Sequence, residues 1–87
     1  MEGDAREQTE QVLRNLGEVL KSGGLSYADV VKTTIFLIDM NDFPAVNAAY
    51  VNAFGETKPA RSTVAVASLP LNARVEIEAI AVRRSSG

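Results

Sequence analysis

Residues 30–38, VVKTTIFLI, constrain the fold of this chain more than any other stretch. Apolar and β-branched side chains fall at both odd and even positions, interrupted by Lys32 and the two threonines. A half-buried strand alternates apolar with polar residues, because successive side chains point to opposite faces. A run without that alternation reads as a central strand covered on both sides. A chain this short buries only about 60% of its unfolded surface, so one small core is marginal without reinforcement. The sequence has no cysteine, so disulfides and thiolate-held metals cannot supply it. Association between subunits is the route left, and a partner would also cover the strand's second face.

The flanking segments read as two helices and two further strands. Asp4 and Glu7 have the spacing of a capping box. Val12, Leu13, Leu16, Val19 and Leu20 then recur on one helical face, Lys21 suits the last turn, and Gly23-Gly24 supplies a left-handed stop. Gly17 interrupts this helix at a cost of up to about 1 kcal/mol against Ala, which marks an expected close approach by a neighbouring element. A second helix is expected to open near Asn41 or Asp42, with Pro44 tolerated in its first turn and Gly55 ending it. Phe43, Val46, Tyr50 and Phe54 form its apolar stripe, and Asn47 is polar inside that stripe. Asp39 and Asp42 read as helix-start carboxylates with no metal site between them, and Gln8 has no expected role beside the capping box.

The runs 61–69 and 74–82 are strand-like, and the turn residues around Pro70 and Asn72 predict that they pair as a hairpin. In the last strand Val75, Ile77, Ala79 and Ala81 share one face, while Glu76 and Glu78 lie on the other with Ile80 and Val82. Residues 83–87 form a polar tail expected to fray. The order α-β-α-β-β predicts one α+β domain over residues 1–87, a two-layer sandwich with both helices on one sheet face.

Composition narrows the chemistry. Histidine is absent, so this chain alone cannot run a Ser-His-Asp or Cys-His mechanism. The net charge of −2 is interspersed, and only two tyrosines and three phenylalanines are present to stack bases, so no nucleic-acid partner is expected. The longest apolar run, residues 33–38, is far too short to span a bilayer, and no signal-peptide pattern precedes the first helix. A cytoplasmic protein is the expectation.

Four stretches carry a resemblance: EGDAREQTEQVLRNL (2–16), KTTIFLIDMNDFPAVNAAY (32–50), KPARSTVAVASLP (58–70) and VEIEAIAV (75–82). Together they closely resemble the Rid (reactive intermediate deaminase, YjgF-type) family over residues 2–84. The Pro-Ala-Arg-Ser stretch, followed fifteen residues after its arginine by a glutamate in Val-Glu-Ile-Glu, is the most specific part. The resemblance implies a chorismate-mutase-like fold, a homotrimer with ligand clefts between subunits, and no cofactor or metal. It implies hydrolysis of reactive enamine/imine acids such as 2-aminoacrylate to 2-oxo acids and ammonia. Family subunits also carry strands and a Ser-Gly-Gln stretch ahead of this first helix. No Ser-Gly-Gln occurs here, so the chain is expected to lack that N-terminal portion.

The same resemblance assigns candidate residues. Arg61 matches the family's binder of the substrate carboxylate, and a planar guanidinium suits that task because it donates two parallel charge-assisted bonds. As a residue alone, Arg61 would read as a surface arginine at a strand end. Glu76 matches the glutamate thought to handle the attacking water, although an exposed strand charge like its neighbour Glu78 is the plainer reading. Thr63 stands where many relatives carry cysteine, so a hydroxyl contact replaces any thiol role, and strand packing explains it as well. Asn47 matches a residue beside the ligand cleft, and equally fits a structural amide that needs partners if buried. Tyr50, Phe43 and Phe54 read as core. Three functions compete on this basis: an imine deaminase, a non-catalytic module that binds small carboxylates or is purely structural, and an RNase or translation inhibitor. The missing histidine and the absence of a basic patch weigh against the third.

Overall fold

The computed structural model describes residues 4–83. Helix α1 covers Ala5–Ser22, and its capping box forms: the Glu7 N–H donates to the Asp4 carboxylate at 2.8 Å, and the Glu7 carboxylate reaches back to the Asp4 N–H. Its far end closes on the glycine pair. Leu25 N–H donates to Leu20 C=O at 2.8 Å and Gly24 N–H to Lys21 C=O at 3.0 Å, with Gly24 at φ +75°. These are the paired bonds of a Schellman stop, which needs a left-handed residue at that position. Strand β1 (Val30–Leu37), helix α2 (Phe43–Phe54), strand β2 (Ala60–Ala65) and strand β3 (Val75–Ala81) follow. Gly55, at φ 58°, ends α2. None of the helices among the described residues is long and apolar enough to cross a membrane.

The sheet order is β2-β1-β3, so the run that reads as a central strand is central. β2 pairs parallel to β1, with Thr33 opposite Arg61 and Ile35 opposite Thr63. A parallel neighbour requires a crossover, and α2 provides it. β3 pairs antiparallel along the other edge of β1, with Ile35 opposite Ile77 and Phe36 opposite Glu76. The expected hairpin is therefore wrong, because β1 lies between β2 and β3. The turn chemistry itself is real: Leu71 and Asn72 have φ of 58° and 56°, and Ala73 N–H donates to Pro70 C=O at 3.1 Å. The connection 66–74 instead carries the chain across the end of β1. Val66 N–H donates to Leu37 C=O at 2.7 Å at one end, and Ile38 N–H to Arg74 C=O at 3.4 Å at the other. Two interstrand spacings of about 4.8 Å each are well within its reach.

Leu13, Leu20, Val30, Ile35, Leu37, Val46, Tyr50, Phe54 and Val75 form the core between the helices and one sheet face. Val19, expected in the α1 stripe, is 69% exposed. It lies on the flank that carries Gln8, eleven residues and roughly 16 Å along the axis from it. At Gln8 that flank is covered, and its side-chain oxygen accepts the Arg74 N–H at 2.8 Å. Gln8 thus has a structural task that no local sequence pattern signals. Asp42 also departs from expectation, since it makes no side-chain cap and instead accepts from Arg74 Nη2 and Nε at 2.9 and 3.2 Å. Asp39 does cap a turn, accepting from Asn41 N–H at 2.9 Å. Gly17 meets its expected neighbour: a Cβ there would stand 2.9 Å from the Tyr27 hydroxyl. Residues 84–87 of the expected tail lie outside the described residues.

Candidate functional site

Phe43, Asn47 and Tyr50 are spaced i, i+4 and i+7 on α2, which sets them on one helical face. Across from them, β2 begins directly after the return loop from Gly55. Its Arg61 stands opposite Thr33 in the register, and Thr33 is buried toward the helices. The register thus directs Arg61 over α2, and β2 is an edge strand, so the guanidinium stays exposed.

Three contacts fix that guanidinium. Its carbon lies 5.0 Å from the Tyr50 ring centroid and 5.6 Å from that of Phe43. Between the rings, Arg61 Nη1 donates a short hydrogen bond to Asn47 Oδ1. Aromatic faces attract a cation and restrain its orientation, while a neutral amide oxygen holds one N–H without cancelling the charge. No acidic side chain pairs with Arg61 among the described residues, whose ion pairs are Arg6–Glu10 and Arg74–Asp42. The arrangement is a pre-oriented cation with donors to spare, suited to a planar carboxylate.

The platform under Arg61 is itself braced. The Tyr50 hydroxyl shares a buried 2.7 Å hydrogen bond with Thr33 Oγ1. The Tyr50 ring stacks on Phe54 with centroids 4.5 Å apart, and Phe54 meets Tyr27 at 5.0 Å. Tyr27 in turn donates from its hydroxyl to Leu13 C=O on α1. Burial raises the Tyr27 pKa above the usual phenolic value. Beside Arg61, a cavity of about 400 Å³ opens along Tyr50, Phe54 and the return loop.

Arg61 and Asn47 are thus brought together. Thr63 lies on the same sheet side, two residues on and half-buried, in register with Ile35. Glu76 is on the opposite face: it stands opposite Phe36, exposed beside Glu78, which is opposite Thr34. Within one chain Arg61 and Glu76 do not converge. Tyr50 and Phe54 are buried as core residues and Phe43 packs against that core. The sequence reading missed that Phe43 and Tyr50 also cushion Arg61. The signal was present, since an asparagine bracketed by aromatics on one helical face is an unusual way to spend a core stripe.

The Endoribonuclease L-PSP family model matches residues 1–83. Reactive Intermediate Deaminase A, chloroplastic, of Arabidopsis thaliana is 59% identical over 75 residues, covering 86% of this chain and 40% of that protein. The 2-iminobutanoate/2-iminopropanoate deaminase of Mus musculus is 52% identical over 81 residues, covering 93% of this chain and 60% of that one. Among solved structures, the YjgF gene product of E. coli is similar with a TM-score of 0.91 and 47% identity, over 97% of this chain and 68% of that one. E. coli TdcF with bound serine gives 0.91 at 40% identity over the same two shares, 97% and 68%. The chain therefore spans 40% and 60% of the two curated relatives' lengths.

Proposed function

The chain belongs to the Rid (reactive intermediate deaminase, YjgF-type) family, and from that premise we propose that it takes part in hydrolysing 2-aminoacrylate-type enamine/imine acids to 2-oxo acids and ammonia. The observation that carries this reading is the guanidinium of Arg61, held between Phe43 and Tyr50 by Asn47 and facing no acidic partner among the described residues. It binds the carboxylate of the imino acid, with the Thr63 hydroxyl as a further polar contact. Water then adds its oxygen to the imine carbon, and its proton passes to the nitrogen. The resulting carbinolamine expels ammonia as the carbonyl forms. Glu76 is the base that orients and deprotonates the water.

Because Glu76 and Arg61 occupy opposite sheet faces, the reading requires Glu76 from a second copy of the chain. A homotrimer with clefts between subunits supplies that geometry. Its support is the open sheet face, where Val64 and Ile80 are exposed in register with Phe36 and Lys32. A cytoplasmic setting belongs to this proposal. Ammonia release from 2-iminopropanoate generated in situ tests the activity, with the solution mass measured by light scattering on the same sample. Arg61→Ala is expected to lower turnover about 10- to 100-fold, the scale of one lost charge-assisted pair, with the fold intact. A fully active Arg61→Ala protein would remove Arg61 from the mechanism.

The separation of Glu76 from Arg61 also favours a second reading, a module that binds small carboxylates without turning them over. Its signature is calorimetric binding of pyruvate or 2-oxobutyrate with no ammonia release.

A further inference from the structure

The cavity next to Arg61 has no task in the steps above. Its volume of about 400 Å³ lies within the range of small-molecule sites. Tyr50 and Phe54 form its buried base, Val51 and Pro59 contribute walls, Gly55 and Thr57 line the return loop, and Arg61 and Lys58 complete the lining. Tyr50 belongs to both places, since its ring lies 5.0 Å from the Arg61 guanidinium carbon and also faces the cavity. A ligand whose carboxylate rests on Arg61 therefore has an apolar recess adjoining its anchor.

The chemistry of the lining selects what fits. Ring faces, a branched aliphatic and a pyrrolidine gain by removing apolar surface from water and offer little to a polar group. A dry cavity of about 150 Å³ lined by such residues already holds benzene, so this recess has room for a ring and its tether. Val51 is 54% exposed at the edge of the recess, beside the buried Tyr50 and Phe54 on the same helix. A ligand seated in the recess would cover it. The two cations add attraction for an acid and no preference for one apolar side chain over another.

We propose that this recess is a side-chain subsite, and that the chain prefers 2-imino and 2-oxo acids bearing a bulky apolar group, aryl or branched aliphatic, over those bearing a methyl group. The inference rests on Arg61 being the carboxylate anchor. The test is calorimetric titration of the full chain with pyruvate, 4-methyl-2-oxopentanoate, 3-phenylpyruvate and 2-oxoglutarate. The two bulky apolar acids are expected to bind at least tenfold more tightly than pyruvate, and Val51→Glu to bring that ratio within threefold. Far-UV circular dichroism verifies that the variant is folded, as an exposed helical position allows.

The outcomes separate the two layers of the reading. Pyruvate binding that survives Arg61→Ala undiminished defeats the anchor, and the subsite with it. Binding that needs Arg61 but shows no preference among the acids defeats the subsite alone. So does a preference that Val51→Glu leaves unchanged, because the bulky group then sits elsewhere. Tightest binding of 2-oxoglutarate, lost in Lys58→Ala, would show that the recess selects a second carboxylate and overturn its apolar assignment.

Discussion

Gly17→Ala is the substitution whose effect the structure specifies most sharply. In an unencumbered helix Ala is favoured over Gly by about 1 kcal/mol. Here the new Cβ would lie 2.9 Å from the Tyr27 hydroxyl oxygen and 3.3 Å from its Cζ. Tyr27 cannot swing away freely, since its ring is packed on Phe54 with centroids 5.0 Å apart and its hydroxyl is bonded to Leu13 C=O. Displacing it forfeits a hydrogen bond with a net value of about 1 kcal/mol and adds overpacking strain of about 1–3 kcal/mol. The helix-propensity gain offsets only part of this, so Gly17→Ala is expected to destabilise the protein by about 1–3 kcal/mol. In a Tyr27→Phe background the oxygen is gone and the remaining approach is the 3.3 Å contact to Cζ. There the same change should be neutral or stabilising by up to about 1 kcal/mol. Urea unfolding of the four proteins at one concentration, followed by far-UV circular dichroism, measures the cycle. Equal stabilisation by Gly17→Ala in both backgrounds would refute the close approach and the bracing of Phe54 and Tyr50 that depends on it.

Three other outcomes follow from contacts described above. Asn47→Asp sets a carboxylate against Arg61 and neutralises the anchor in advance, so pyruvate affinity should fall about tenfold or more, whereas Asn47→Ala, which frees the guanidinium but keeps its charge, should cost less; calorimetry reads the order, and an Asn47→Asp protein that binds as well as the parent contradicts it. Gln8→Ala strips the buried acceptor from Arg74 N–H and should lower stability by about 1–3 kcal/mol in urea, with an unchanged midpoint as the contrary result. Leu71→Gly relieves a left-handed residue that is 85% exposed and should stabilise by about 0.5–1 kcal/mol after the unfolded-state entropy of glycine is counted; a lower midpoint would mean that the leucine side chain makes a contact worth more than the strain.

What could be read from the sequence was local. Asp4 with Glu7, the Gly23-Gly24 stop and the Phe43 to Phe54 stripe carry their signals within a turn or two, and each forms as read. The central position of β1 was legible from its lack of alternation. The turn at Pro70–Asn72 is a local instruction and says nothing of a strand lying between the two segments it joins, so the pairing of β2 with β3 that it suggests does not form. Val19 stays exposed for a related reason: a helical stripe records periodicity, while its cover comes from elements distant in sequence. The faces of Glu76 and Glu78 followed from alternation, yet their relation to Arg61 required two registers through β1, neither of which composition or spacing encodes. Arg61 itself stood out only through family resemblance, because an arginine at a strand start is chemically unremarkable until its aromatic cushion is known.

The contacts that hold Arg61 all come from residues 43–61, a single helix and the strand that follows it. The sheet's other half closes through partners far apart along the chain, such as Gln8 with Arg74 and Gly23 with Arg83. Loop-closure entropy delays contacts of the second kind relative to the first. During folding, the anchor should therefore acquire its orientation with the β-α-β crossover, before β3 docks. The same economy makes residues 27–65, which keep Tyr27 against Phe54, the natural unit to transplant onto another parallel sheet when a pre-oriented guanidinium is wanted there.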